Sequence, residues 1–194
     1  MIHNVVPVIA GELNNYLANN FDFEEAKVIV SNLVNQDGGV AFEGTNKLVC
    51  TLVNIEEDQS SRASRSGHMQ IGNAYGESRP YINLNLKVLF SAHFSGKNYP
   101  ESLKIISYVI SFFQRKSVFT PNNTPRLTKN AERLSFDMVT LEMNEISHLW
   151  GMMGAKYVPS VLYKVQMLSF RDNMIYDEIP GVTGFEITGL SEKN

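Results

Sequence analysis

The chain has 194 residues, a net charge of −3 and one cysteine, and 43% of its residues are hydrophobic. That suits one domain with a normal core, or one domain with extended arms. The lone Cys50 excludes an intramolecular disulfide, Lys and Arg form no dense basic face for nucleic acid, and no apolar run is long enough to span a bilayer.

Met1-Ile2-His3-Asn4 places no basic residue ahead of its apolar positions, so no signal peptide and no direct membrane insertion are expected. Val5, Val6, Ile9, Leu13, Tyr16 and Leu17 recur at helical spacing, which predicts an opening amphipathic helix with Pro7 in its first turn. Val28, Val30 and Leu33 form a short β-like run that ends at the turn cluster Asn35-Gln36-Asp37-Gly38-Gly39. From Leu48 to Ile55 both alternating faces are apolar, the pattern of a central strand covered on both sides. Residues 58–80 are polar and rich in Ser and Gly, carry Arg62, Arg65 and Arg79, and read as a long loop or projecting arm.

Next, Ile82, Leu84, Leu86, Val88, Phe90, Ala92 and Phe94 alternate with Asn83, Asn85 and Lys87, predicting a strand with one packed face and one facing water or a partner. Asn98-Tyr99-Pro100-Glu101 reads as an N-cap, an early Pro and an N3 carboxylate, opening a helix to about Lys116 with Tyr99, Leu103, Ile106, Ile110 and Phe113 as its apolar stripe. A strand from Leu134 to about Met143, a short helix around Ile146 to Trp150 ending at Gly151 or Gly154, and a last core strand from Val161 to Phe170 follow. Beyond them, Phe185 and Ile187 could line one face of a tail strand.

The fold expected from this order is α+β, with a mixed, largely antiparallel β-sheet of about five strands flanked by two main helices and one short helix. Residues 1–170 form the domain, with the arm at about 58–80, and residues 171–194 form an extended tail.

Chemistry is hard to place on this chain. His3, His68, His93 and His148 lack the spacing of a zinc site, and Gly72-Asn73-Ala74-Tyr75-Gly76 is not a phosphate loop. Glu56-Glu57-Asp58 is the densest charge, but without a readable partner it is better taken as a solvated strand end than as a catalytic pair. No catalytic, cofactor-binding or metal residue is assigned. Trp150 suits a core position better than an interface anchor.

Three separated blocks carry a family likeness: Leu52-Val53-Asn54-Ile55-Glu56-Glu57; Tyr81-Ile82-Asn83-Leu84-Asn85-Leu86 with Val88-Leu89-Phe90-Ser91-Ala92; and Leu149-Trp150-Gly151 through Tyr163-Lys164. In order and spacing they resemble the cap, or tail-terminator, family of contractile injection systems, the phage-tail-like particles of bacteria. The likeness runs from the first helix to about Phe170 and rests on packing motifs, so it transfers no catalytic residues.

The resemblance implies a tail-terminator-like fold and a structural protein that forms a hexameric ring at the distal end of a tube and sheath and ends their polymerisation. It implies inner tube and sheath proteins and further copies of the chain as partners, no cofactor, and assembly in the bacterial cytoplasm before residence at the particle end. Arg62, Arg65, Arg79, Asn83, Asn85, Lys87, Phe185 and Ile187 are the candidate interface residues. Two other readings stand beside it: a tube-end or baseplate adaptor ring, and a small hydrolase or ligand-binding domain using Glu56, Glu57 and a histidine.

Overall fold

The computed structural model describes residues 2–20, 28–58, 68–71, 74–77, 83–127, 131–169 and 178–180. Arg62, Arg65, Arg79, Phe185 and Ile187 lie outside the described residues. The chain divides into two compact units: Met1–Gln59 with Ile82–Phe170, and Ser60–Tyr81 with Arg171–Asn194.

In the first unit, α1 (Ile2–Asn20) buries Val5, Val6, Ile9, Leu13 and Leu17 of the predicted stripe together with Ala10, and Tyr16 is half-buried against the same core. Each of the buried Val, Ile and Leu side chains contributes about 1.5–3 kcal/mol. Pro7 lies in the second turn, because the helix already begins at Ile2. Its ring removes the hydrogen bond that a residue there would donate to the carbonyl of His3.

Six strands follow: β1 (Val28–Val30), β2 (Lys47–Glu57), β5 (Asn83–His93), β6 (Val118–Phe119), β7 (Ala131–Val139) and β8 (Ser160–Ser169), in the sheet order β1-β2-β5-β8-β7-β6. Only β1 with β2 is parallel, so the sheet is mixed and largely antiparallel, as expected. It has one strand more than expected because the two-residue β6 is too short to show a period. Both flanking strands are short. Asn14 limits β1 further: its side-chain amide donates to the carbonyl of Val28 at 2.9 Å and accepts from the Val28 N–H at 2.9 Å.

The first face of the sheet carries α1 and α2 (Tyr99–Arg115). There Phe113 stacks on Phe136 with centroids 4.4 Å apart and tilts against Tyr163 at 4.5 Å. The helix buries Ser102, Ile105, Val109, Phe112 and Phe113; of the predicted stripe Phe113 is buried and Ile106 and Ile110 are half-buried, while Tyr99 and Leu103 remain 53% and 46% exposed. Two apolar rows run side by side on this helix, and the one through Ile105 and Val109 reaches the aromatic core. Asn98 precedes the helix without a side-chain cap bond; its Nδ2 donates instead to Asn46 Oδ1 at 3.4 Å.

The second face carries α3 (Met143–Met153). Here Leu33, Val49, Leu89, Trp150 and Leu162 form a separate core, with Trp150 edge-on to Tyr157 at 5.6 Å. The Glu142 N–H is capped by Glu145 Oε2 at 2.8 Å, and the helix ends at Gly154, whose φ of +65° suits glycine. The strand expected to run to Met143 stops at Val139, since Met143 opens this helix.

In the second unit β3 (His68–Ile71) and β4 (Ala74–Glu77) form an antiparallel hairpin, and β9 (Glu178–Pro180) lies antiparallel beside β4. The segment read as loop or arm therefore holds β structure. The missed signal in the sequence is Gly72-Asn73, a pair of turn-favouring residue types between short segments.

Candidate assembly surface

The second face of the large sheet changes character along its strands. At one level Val49, Leu89 and Leu162 lie under α3. Beyond it the same face is polar. One row crosses the four strands β2, β5, β8 and β7 as Asn54, Lys87, Lys164 and Asp137, and the next as Glu56, Asn85, Gln166 and Ser135. Four adjacent strands span three spacings of about 4.8 Å, so each row is about 14 Å long.

A register shift between Leu52 and Asn54 of β2 makes this arrangement. The bulge places Asn54 and Glu56, in place of Val53 and Ile55, opposite Lys87 and Asn85. Ile55 is left 48% exposed, which corrects the expectation that this strand is covered on both sides along its whole length. Only its first half, Leu48 to Thr51, is fully buried.

Lys87 and Lys164 are direct cross-strand neighbours, an opposition of like charges that destabilises a sheet unless anions answer it. Glu56 Oε2 is 4.0 Å from Lys87 Nζ, and that pair is partly exposed. Glu56 Oε1 also accepts from Asn54 Nδ2 at 3.1 Å, and Ser135 Oγ donates to Gln166 Oε1 at 3.4 Å. Asn85, expected on a wet face, is only 8% exposed, because the longer Glu56 and Gln166 chains flank it. Its Oδ1 is buried with no hydrogen-bond partner. An acceptor so placed costs about 1–3 kcal/mol.

The register also bears on the hydrolase alternative. Glu56 lies opposite Asn85 and His93 opposite Lys47, so eight residues of β5, about 26 Å, separate that carboxylate from that imidazole. His93 instead makes a 3.1 Å hydrogen bond with Ser91 Oγ and an edge contact with Phe42, and burial lowers its pKa. Cys50 is buried, its pKa pushed up to about 12 by desolvation, and cannot serve as a thiolate near neutral pH. Among the described residues no helix is long and apolar enough to cross a membrane.

Known structures share this two-faced sheet with helices on both sides. An extracellular contractile injection system's PVC sheath/tube terminator in the extended state superposes with a TM-score of 0.63 at 15% identity, covering 100% of this chain and 64% of that one. The anti-feeding prophage tube-terminating cap gives 0.59 at 14% identity, covering 93% of this chain and 60% of that one. The chain thus spans less than two thirds of the length of these terminators. No curated protein matches it.

The family described as Pvc16 N-terminal domain matches residues 4–184, and this chain belongs to that family. The resemblance to caps of contractile injection systems and the α+β fold both stand.

Proposed function

We propose that this chain is a structural cap protein, not an enzyme, that forms a hexameric ring on the distal end of the tube and sheath of a contractile injection system and terminates their polymerisation. Membership of the Pvc16 N-terminal domain family over residues 4–184 carries the reading, and the fold shared with a sheath/tube terminator and a tube-terminating cap supports it. Its partners are copies of itself, the inner tube protein and the sheath protein. It assembles in the bacterial cytoplasm and then stays at the particle end.

A closed ring needs heterologous contacts, in which one patch of each subunit meets a different patch of its neighbour. The strip around Asn83, Asn85 and Lys87 supplies one such patch. A carboxylate from the neighbour would answer Lys87 and Lys164. Residues 1–170 serve as the ring body, while the 58–80 arm with Arg62, Arg65 and Arg79, and the 171–194 tail with Phe185 and Ile187, contact neighbours and the last disc of the polymer.

The test is the solution mass of the protein, alone and mixed with its tube and sheath proteins, followed by imaging of particle ends. A hexamer, or a ring that forms only on those ends, supports the reading. A monomer that binds neither polymer sinks it. Deletion of the residues after Arg171 should impair capping while leaving the monomer folded.

A further inference from the structure

The tail returns to the arm. Three residue pairs join β9 to β4: Ala74 with Pro180, Tyr75 with Ile179, and Gly76 with Glu178. Two segments far apart in sequence thus build a three-stranded sheet of their own, in a compact unit separate from the six-stranded sheet.

The junction is small. In the β3–β4 hairpin Ile71 pairs with Ala74 across two connecting residues, and Met69 pairs with Gly76. In a two-residue hairpin the closing pair and every second pair beyond it exchange backbone hydrogen bonds, so Tyr75 turns its N–H and C=O away from β3 and toward β9. Tyr75 with Ile179 is then the one pair of β4 and β9 whose backbone groups bond each other. Pro180 falls where its nitrogen faces away from β4, the placement that a proline in an outer strand requires.

A strand of three residues held at one bonded pair gains nothing from its own arm that an identical arm would not give. In a ring every subunit carries the same arm and tail. Eight residues, 170–177, link β8 to β9, a reach of at most about 30 Å. We propose that in the assembled ring the Glu178–Pro180 strand of each subunit pairs with Ala74–Gly76 of a neighbouring copy, so that exchanged identical strands close the ring. Each copy donates at one site and accepts at another, which makes the contact heterologous, and exchange of an identical element adds no new chemistry. The inference rests on the ring reading above and names the acceptor for the tail.

The full-length Tyr75→Cys/Ile179→Cys variant tests it. Cα atoms across a bonded antiparallel pair stand about 5.5 Å apart, within disulfide range. Cys50 is buried and stays out of the exchange. Caps are assembled on tube and sheath under reducing conditions, imaged, and then oxidised. The expected result is a covalent ladder reaching the hexamer from capped particles, against a monomer-sized cross-linked band from free protein. A mixture of Tyr75→Cys and Ile179→Cys single variants should also give dimers when assembled.

Imaged rings that yield only intramolecular cross-links, or none, overturn the exchange and leave the cap reading standing. Particle ends that never carry a ring overturn both.

Discussion

Replacing Asn85 with Leu should make the monomer more stable. Asn85 is 8% exposed in the middle of the polar strip, and its Oδ1 has no donor. Burying that acceptor costs about 1–3 kcal/mol, and a leucine of similar shape removes it. Monomer stability should therefore rise by at least about 1 kcal/mol, moving Tm up by about 2–4 °C for a chain of this size. Urea and thermal unfolding of the monomer measure the rise. A variant less stable than the parent would refute the reasoning.

Four further changes follow from single contacts. Lys87→Glu sets a second carboxylate beside Glu56; the pair is partly exposed, so the fold should lose less than about 1 kcal/mol while ring formation falls, and an unchanged oligomer would remove Lys87 from the interface. Trp150→Ala empties the second core under α3 and should cost about 3–5 kcal/mol in urea unfolding. Gly154→Ala forces a left-handed φ of +65° on a residue with a side chain; the surroundings are open, so the cost is backbone strain alone, about 1–2 kcal/mol in the same assay. His93 has a lowered pKa in the fold, so the unfolded chain takes up its proton first: stability is full above about pH 6.5 and falls as pH drops through that value toward the lowered one. His93→Gln should flatten that fall between pH 7 and 5, and an unfolding midpoint that declines as steeply as in the parent would contradict the assignment.

What the sequence revealed depended on the length of each pattern. The α1 spacing persists for many residues and marks Val5, Val6, Ile9, Leu13 and Leu17, with Tyr16 only half-buried; the β5 alternation marks its packed face, but on the other face Asn85, Leu89 and Ser91 are buried as well. On α2 two apolar rows share one helix, and spacing alone cannot say whether Leu103 or Ile105 is buried; only the position of Phe113 between Phe136 and Tyr163 decides it. β3, β4 and β9 are three or four residues long, below the length at which period 2 is distinguishable from chance, and β9 owes its pairing to a segment remote in sequence. The polar strip was legible in part. Asn83, Asn85 and Lys87 identified the face, but Leu89, next on the same side, belongs to the core under α3, and the partners Asn54, Lys164 and Asp137 come from strands whose register no sequence displays.

The same register also sets where the sheet face changes from apolar to polar. Four strands leave the apolar level together: Val49 and Thr51 give way to Asn54 and Glu56, Leu89 to Lys87 and Asn85, Leu162 to Lys164 and Gln166, and Val139 to Asp137 and Ser135. A solvent-facing edge could tolerate any one of these changes alone. Their coincidence across strands needs the β2 bulge, without which Val53 and Ile55 would continue an apolar row opposite Lys87 and Asn85. The bulge turns Ile55 off this face and Asn54 and Glu56 onto it, while Val53 still packs against the core under α3. The strip it completes sets two lysines opposite each other and holds an amide oxygen without a donor, features that cost the subunit stability.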